Sequence, residues 1–160
     1  TKNAAEGLNY GAEISLDSQI SEKVNMFLNL GILETEIRKY QSRPDLEGRE
    51  QAHAPDYSFS AGLSWEISNN LEFLLDFNGK SDFYYSDSHD NTSDDYILTN
   101  INMIYTKDKI NLNFWVRNIF DEYYSLRGFY FGNEPPNFED TLYERHGDPR
   151  SYGLTFRYDF

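Results

Sequence analysis

The chain contains no cysteine, which excludes a disulfide framework and any thiolate metal centre while leaving the compartment open. It is also poor in basic side chains: 14 Lys and Arg stand against 27 Asp and Glu, a formal charge of -13. Nucleic-acid binding needs a basic footprint to displace counterions from phosphates, so that class is excluded. Nor does any stretch approach the roughly 18 consecutive apolar residues of a membrane-spanning helix. Any membrane crossing would therefore be made by strands. The first residues, Thr1-Lys2-Asn3, carry neither Met nor the apolar core of a signal peptide, so the chain reads as a processed or excised piece whose export signal, if any, lies elsewhere. What it has in plenty is rings: 13 Tyr and 12 Phe, at a mean hydropathy of only -0.72. Many aromatics with little overall greasiness point to alternation.

Successive side chains of a strand face opposite ways, so a period of two is the test. Between Arg150 and Phe160, Tyr152, Leu154, Phe156, Tyr158 and Phe160 fall on one face, and Ser151, Gly153, Thr155, Arg157 and Asp159 on the other. The same division recurs for Leu8 to Leu16, Val24 to Ile32, Tyr57 to Ile67, Leu71 to Phe77, Ile97 to Tyr105 and Ile110 to Val116. Seven strands are predicted, each about the roughly 9 to 11 residues that cross a bilayer when tilted.

The connections alternate in length. Ser18 to Lys23, Ser68 to Asn70 and Thr106 to Lys109 are short; Gln41 to Pro55, Ser81 to Asp95 and Asn118 to Pro149 are long. Short turns at one end and long loops at the other are what an outer-membrane barrel requires and what a soluble sandwich does not. With a periplasmic C-terminus, all three long loops face the cell exterior. No charge lies on the apolar faces, where a Lys or Arg at the bilayer midplane would cost roughly 2 to 4 kcal/mol. Tyr10, Tyr57, Trp65, Tyr105, Tyr152 and Tyr158 sit near strand ends, where amphipathic rings suit the headgroup layer. The fold class is thus all-β: an antiparallel transmembrane β-barrel fragment of about seven strands with long extracellular loops and short periplasmic turns. A soluble barrel with a dry core is the competing reading.

Three signatures carry a family resemblance. The stretch Val116-Arg117-Asn118-Ile119-Phe120-Asp121-Glu122-Tyr123-Tyr124 resembles the "V-x-N-x-F-D-x-x-Y" of the penultimate strand of TonB-dependent receptors. Gly147-Asp148-Pro149-Arg150-Ser151-Tyr152-Gly153, with the terminal Phe160, is similar to their closing "P-R-x-Y/F-G" and final aromatic. Gly48-Arg49-Glu50-Gln51-Ala52-His53-Ala54-Pro55 resembles their "G-x-x-x-x-x-A-P" loop exit. The resemblance implies that residues 1–160 are the C-terminal portion of a barrel of about 22 strands, with the plug domain and the TonB-contacting segment absent from this chain. It implies a bacterial outer-membrane location and energised uptake of scarce ligands, such as iron chelates or cobalamin. The implied partners are the remaining barrel and plug, the TonB complex, outer-membrane lipid and lipopolysaccharide. A piece of a passive porin or adhesin-like barrel is the alternative within the membrane class.

Catalytic constellations are weak, and no enzyme, cofactor or metal site is expected. His53, His89 and His146 all fall in loops. Asp87-Ser88-His89-Asp90 has cation-ligand types, but wet loops are rich in them. Glu72, Asp76 and Lys80 share a face that reads as a solvated polar lining. His89, Tyr143 and Arg145 are the candidate ligand contacts at the extracellular mouth. Tyr152, Leu154, Phe156, Tyr158 and Phe160 resemble the C-terminal assembly signal read by the barrel insertion machinery. The loop from Ser81 to Asp95 carries Asp82, Asp87, Asp90, Asp94 and Asp95 without Lys or Arg. Such a rim is expected to repel anions, favouring a cationic or neutral ligand, or divalent ions bridging to lipopolysaccharide.

Overall fold

The computed structural model of the chain describes residues 6–160. Nine strands follow one another: β1 (Glu6–Ser21), β2 (Val24–Lys39), β3 (Tyr57–Ser68), β4 (Leu71–Lys80), β5 (Tyr96–Lys107), β6 (Ile110–Arg117), β7 (Ser125–Phe131), β8 (Thr141–His146) and β9 (Ser151–Tyr158). Seven of them form one antiparallel sheet in the order β1-β2-β3-β4-β5-β6-β9, and β7 and β8 form a separate hairpin. Among the described residues β1 and β9 each keep an unpaired outer edge, and the barrel is not closed.

The period-two pattern explains the register. Met26, Leu63, Leu75, Ile101, Val116 and Tyr152 are successive cross-strand partners, forming one apolar row from β2 to β9. A one-residue slip in any pair would turn a whole strand over, so the faces hold the pairing. The apolar side chains are not gathered into a dry core: Phe114 is 44% exposed and Phe156 62%. Tyr10, Tyr57, Trp65, Tyr105, Tyr152 and Tyr158 are all exposed. Among the described residues the buried apolar ones are Ile37, Leu46, Phe83 and Tyr85, which lie in the long loops or at the strand end that feeds them.

Three glycines admit large rings from the strand opposite. Phe27 lies over its partner Gly62, Phe59 over Gly79, and Trp115 over Gly153; a Cβ at those glycines would stand 2.6, 2.6 and 2.5 Å from the ring atoms. Such close packing needs residues without side chains.

Four details depart from the sequence reading. β1 and β2 are 16 residues each, so the connection expected over Ser18 to Lys23 shrinks to Glu22 and Lys23, with Ser18 and Gln19 still paired to Met26 and Asn25. The turns Asn69–Asn70 and Asp108–Lys109 are equally tight, Asp108 taking a left-handed φ of 51°. The last strand ends at Tyr158 rather than Phe160, although the Asp159 N–H still donates to Lys109 O. The fourth departure is the β7–β8 hairpin inside the loop expected over Asn118 to Pro149. Its Phe129-Tyr130-Phe131 run is apolar on both faces, and a register shift between Ser125 and Arg127 breaks the alternation that would have marked it.

Candidate functional site

The long loops all emerge at one end of the sheet and are tied to one another. From the loop after β2, the Arg49 guanidinium lies 4.1 Å over the Tyr84 ring, pairs with Asp90 at 2.6 Å and donates to the carbonyl of His89. Ala52 N–H donates to Asp87 Oδ1, and His53 N–H to Tyr84 O. The loop 81–95 closes on itself through Phe83 N–H to Ser93 Oγ and Ser93 N–H to Phe83 O. Tyr85 then reaches the hairpin, where its hydroxyl donates to Glu144 and its ring covers Gly128. Burial first, and the Glu144 hydrogen bond second, push the Tyr85 phenol up to about 12. Buried Phe83 meets Tyr85 edge-on at 5.6 Å and His53 at 5.5 Å. A loop rich in aspartate is thus rigidified by an aromatic centre, with two of its aspartates, Asp87 and Asp90, engaged in holding a neighbour.

The hairpin has two unlike faces. Gly128 pairs with Glu144 and Tyr130 with Leu142, and this face lies against the loop 81–95. Arg127 pairs with Arg145 and Phe129 with Tyr143 on the opposite face, where the two rings stack at 5.8 Å. The structure therefore brings Tyr143 and Arg145 together and places His89 apart from them. His89 stacks on Tyr130 at 3.5 Å, with Asp140 3.5 Å from Nε2 and Ser86 Oγ 3.0 Å from Nδ1. It is part of the seam between loop and hairpin. The Tyr143 hydroxyl donates to Glu134, which raises its phenol above the usual range. Arg127 and Phe129 complete the outward face, and the sequence offered no alternation by which to find them.

A polar corner joins the last two strands of the sheet. Asn118, buried and left-handed at φ 49°, receives Glu122 N–H on Oδ1 at 2.8 Å and donates from Nδ2 to Glu122 O and Asp148 O. Its own N–H donates to Asn100 Oδ1, while Asn100 Nδ2 donates to Asp76, which in turn faces Arg117 at 3.7 Å. Asp121, also left-handed, accepts the Arg150 N–H at 2.7 Å. Asp76 is therefore a structural acceptor in a cross-strand network. Lys80 packs over Phe83 at 4.2 Å, away from that network.

The sequence model of the family described as TonB dependent receptor-like, beta-barrel, matches residues 1–119. The chain belongs to that family. Among solved structures, this receptor barrel segment resembles the siderophore receptor PiuA from Acinetobacter baumannii, at 16% identity and a TM-score of 0.83, over 98% of this chain and 22% of that one. It likewise resembles the ferric yersiniabactin uptake receptor FyuA from Yersinia pestis, at 17% identity and a TM-score of 0.82, over 99% and 24%. The Ferric-Catecholate import receptor Fiu from K12 E. coli aligns at 14% identity and a TM-score of 0.77, over 98% and 21%. At such identities the likeness concerns the fold, and the segment spans less than a quarter of each receptor. The family is one of receptors, not enzymes. Within this TonB-dependent receptor barrel the signature residues have physical work: Asn118 and Asp121 fasten the end of β6 to the start of β9, and Arg49 fastens the first long loop to the second.

Proposed function

We propose that residues 1–160 are the C-terminal portion of the barrel of an outer-membrane active transporter for scarce ligands such as iron chelates or cobalamin, energised through TonB, whose plug and remaining strands belong to the same receptor. The observation that carries this is the unbroken apolar row across an unclosed sheet of a TonB-dependent receptor barrel, which a lipid environment stabilises and water does not. Outer-membrane lipid then meets the apolar face, lipopolysaccharide surrounds the long loops outside, and the short turns lie on the periplasmic side. The outward face of the hairpin, with Tyr143 and Arg145, is the ligand contact in this reading, and His89 supports it from behind.

The test is uptake by cells expressing the complete parent receptor. Accumulation of a radioactive iron chelate or of cobalamin should exceed that of cells lacking the receptor and should vanish when TonB is deleted. Uptake that survives loss of TonB would favour a passive barrel. An upstream coding sequence without a plug of a hundred or more residues would overturn active transport.

A further inference from the structure

Arg127 and Arg145 are direct cross-strand partners on the outward face of the hairpin. Like charges opposite one another are destabilising, and such pairs are ordinarily relieved by a carboxylate. Neither arginine takes part in an ion pair among the described residues, although Arg38, Arg43, Arg49, Arg117 and Arg157 all do. The carboxylates of the hairpin have other partners: Glu144, which shares the recess with the arginines, accepts from Tyr85 and from Ser125 Oγ on one oxygen, and Glu134 accepts from Tyr143. In a chain with 27 acidic residues, two opposed arginines without a salt bridge are a specific arrangement.

Its surroundings suit a ligand. Arg127, Phe129, Tyr143, Glu144 and Arg145 line an open recess of about 470 Å³. The stacked Phe129 and Tyr143 rings form its apolar side. Guanidinium groups present planar forks of donors that match the oxygens of carboxylate, phenolate or phosphate groups, and the register sets two such side chains opposite one another along the recess. The local potential is felt nearby: His53 is held below the ordinary imidazole range first by burial and next by the charge of Arg127.

We propose that the Arg127–Arg145 pair is an oxyanion-binding site, taking a carboxylate, phenolate or phosphate group whose attached apolar or ring portion lies on Phe129 and Tyr143. The inference rests on the reading that the long loops face the medium. Two sources supply that chemistry, a small organic anion in solution or the phosphorylated sugars of lipopolysaccharide. It adds to the acidic loop 81–95 a neighbouring recess that carries two arginines.

The complete parent receptor in detergent micelles provides the test, with citrate and 2,3-dihydroxybenzoate as small oxyanions and deacylated lipopolysaccharide core as the sugar phosphate, each titrated calorimetrically. At least one probe should bind, and Arg127→Gln/Arg145→Gln should weaken it by about tenfold or more, as loss of charge-assisted pairs entails. Arg127→Lys/Arg145→Lys should keep part of the affinity, because charge remains while the fork is lost. High salt should weaken the wild type more than the Gln variant. Binding confined to the small anions identifies a soluble ligand, and binding confined to the core oligosaccharide identifies the lipid. Heat-modifiable gel mobility checks folding, and if the double variant does not fold, Arg145→Gln with the salt series carries the same expectation. Absence of binding by every probe, or equal binding by wild type and Gln variants, overturns the site. Anion binding together with TonB-independent uptake would leave the site standing and remove only the transport reading.

Discussion

Asn118 holds three side-chain hydrogen bonds from a left-handed position, and both properties set what its replacement does. Asn118→Ala removes those bonds and leaves a β-carbon where L-residues are disfavoured; together these should cost about 2 to 4 kcal/mol. The urea midpoint of the refolded full receptor measures this, and Asn118→Gly should recover only the backbone part. Tyr85 gives a pH-dependent prediction. Its pKa is raised in the folded state to about 12, so the folded state prefers the neutral phenol. That contribution is complete below the unfolded phenol value of about 10 and is lost as pH rises through the folded one. The difference absorbance spectrum between wild type and Tyr85→Phe should show one phenol ionising late, with the loops becoming protease-sensitive over the same interval. Asn118 was legible as part of a signature, since Val116 to Tyr124 carries the right residues at the right spacing. Tyr85 and Arg49 were not, because their partners lie 59 and 40 or 41 residues away and nothing local marks such contacts.

Among the strands, the seven-stranded sheet was readable because alternation and pairing are the same fact seen from two sides. The apolar row through Leu75 and Ile101 predicts that Ile101→Lys costs roughly 2 to 4 kcal/mol while Asn102→Lys, on the other face, costs little. Folding titrations into lipid bilayers at several denaturant concentrations would measure the pair, and equal costs would contradict the face assignment. The β7–β8 hairpin escaped the same reading, since its bulge and its two-sided apolar run follow the packing of loop on loop rather than a division into one apolar and one polar face. The terminal strand makes a further prediction. Phe160 is fully exposed and stands edge-on to Tyr158 at 5.2 Å, so its removal takes away no packing except that ring pair. Deleting Phe160 should nevertheless lower the amount of folded receptor in outer membranes, as expected of an assembly signal at Tyr152, Leu154, Phe156, Tyr158 and Phe160. Unchanged insertion, assayed by heat-modifiable mobility in membrane fractions, would refute that role.

For the whole molecule, the acidic balance and the joined loops separate two kinds of aspartate. Asp87 and Asp90 hold Ala52 and Arg49, whereas Asp94 and Asp95 are exposed. Asp94→Asn/Asp95→Asn should therefore alter the salt dependence of ligand association, modestly because exposed charges are screened beyond roughly 8 Å, without loosening the loops. Asp90→Asn should increase hydrogen exchange in loops 40–56 and 81–95 together. Mass-resolved exchange distinguishes the two. The chain's composition disclosed the total charge but not this division, which depends on where Arg49 ends up. The rings seated on Gly62, Gly79 and Gly153 have a consequence for the size of any barrel that these strands help to close. Each glycine is a keyhole that only one alignment of its neighbour fits, because a two-residue slide would set Phe27 against Ser60 or Ser64 and Trp115 against Ser151 or Thr155. In a closed barrel, stagger and strand number together dictate tilt and diameter. Three residues without side chains thus act as gauge marks for the stagger, and so for the diameter, of any closed barrel that contains this sheet.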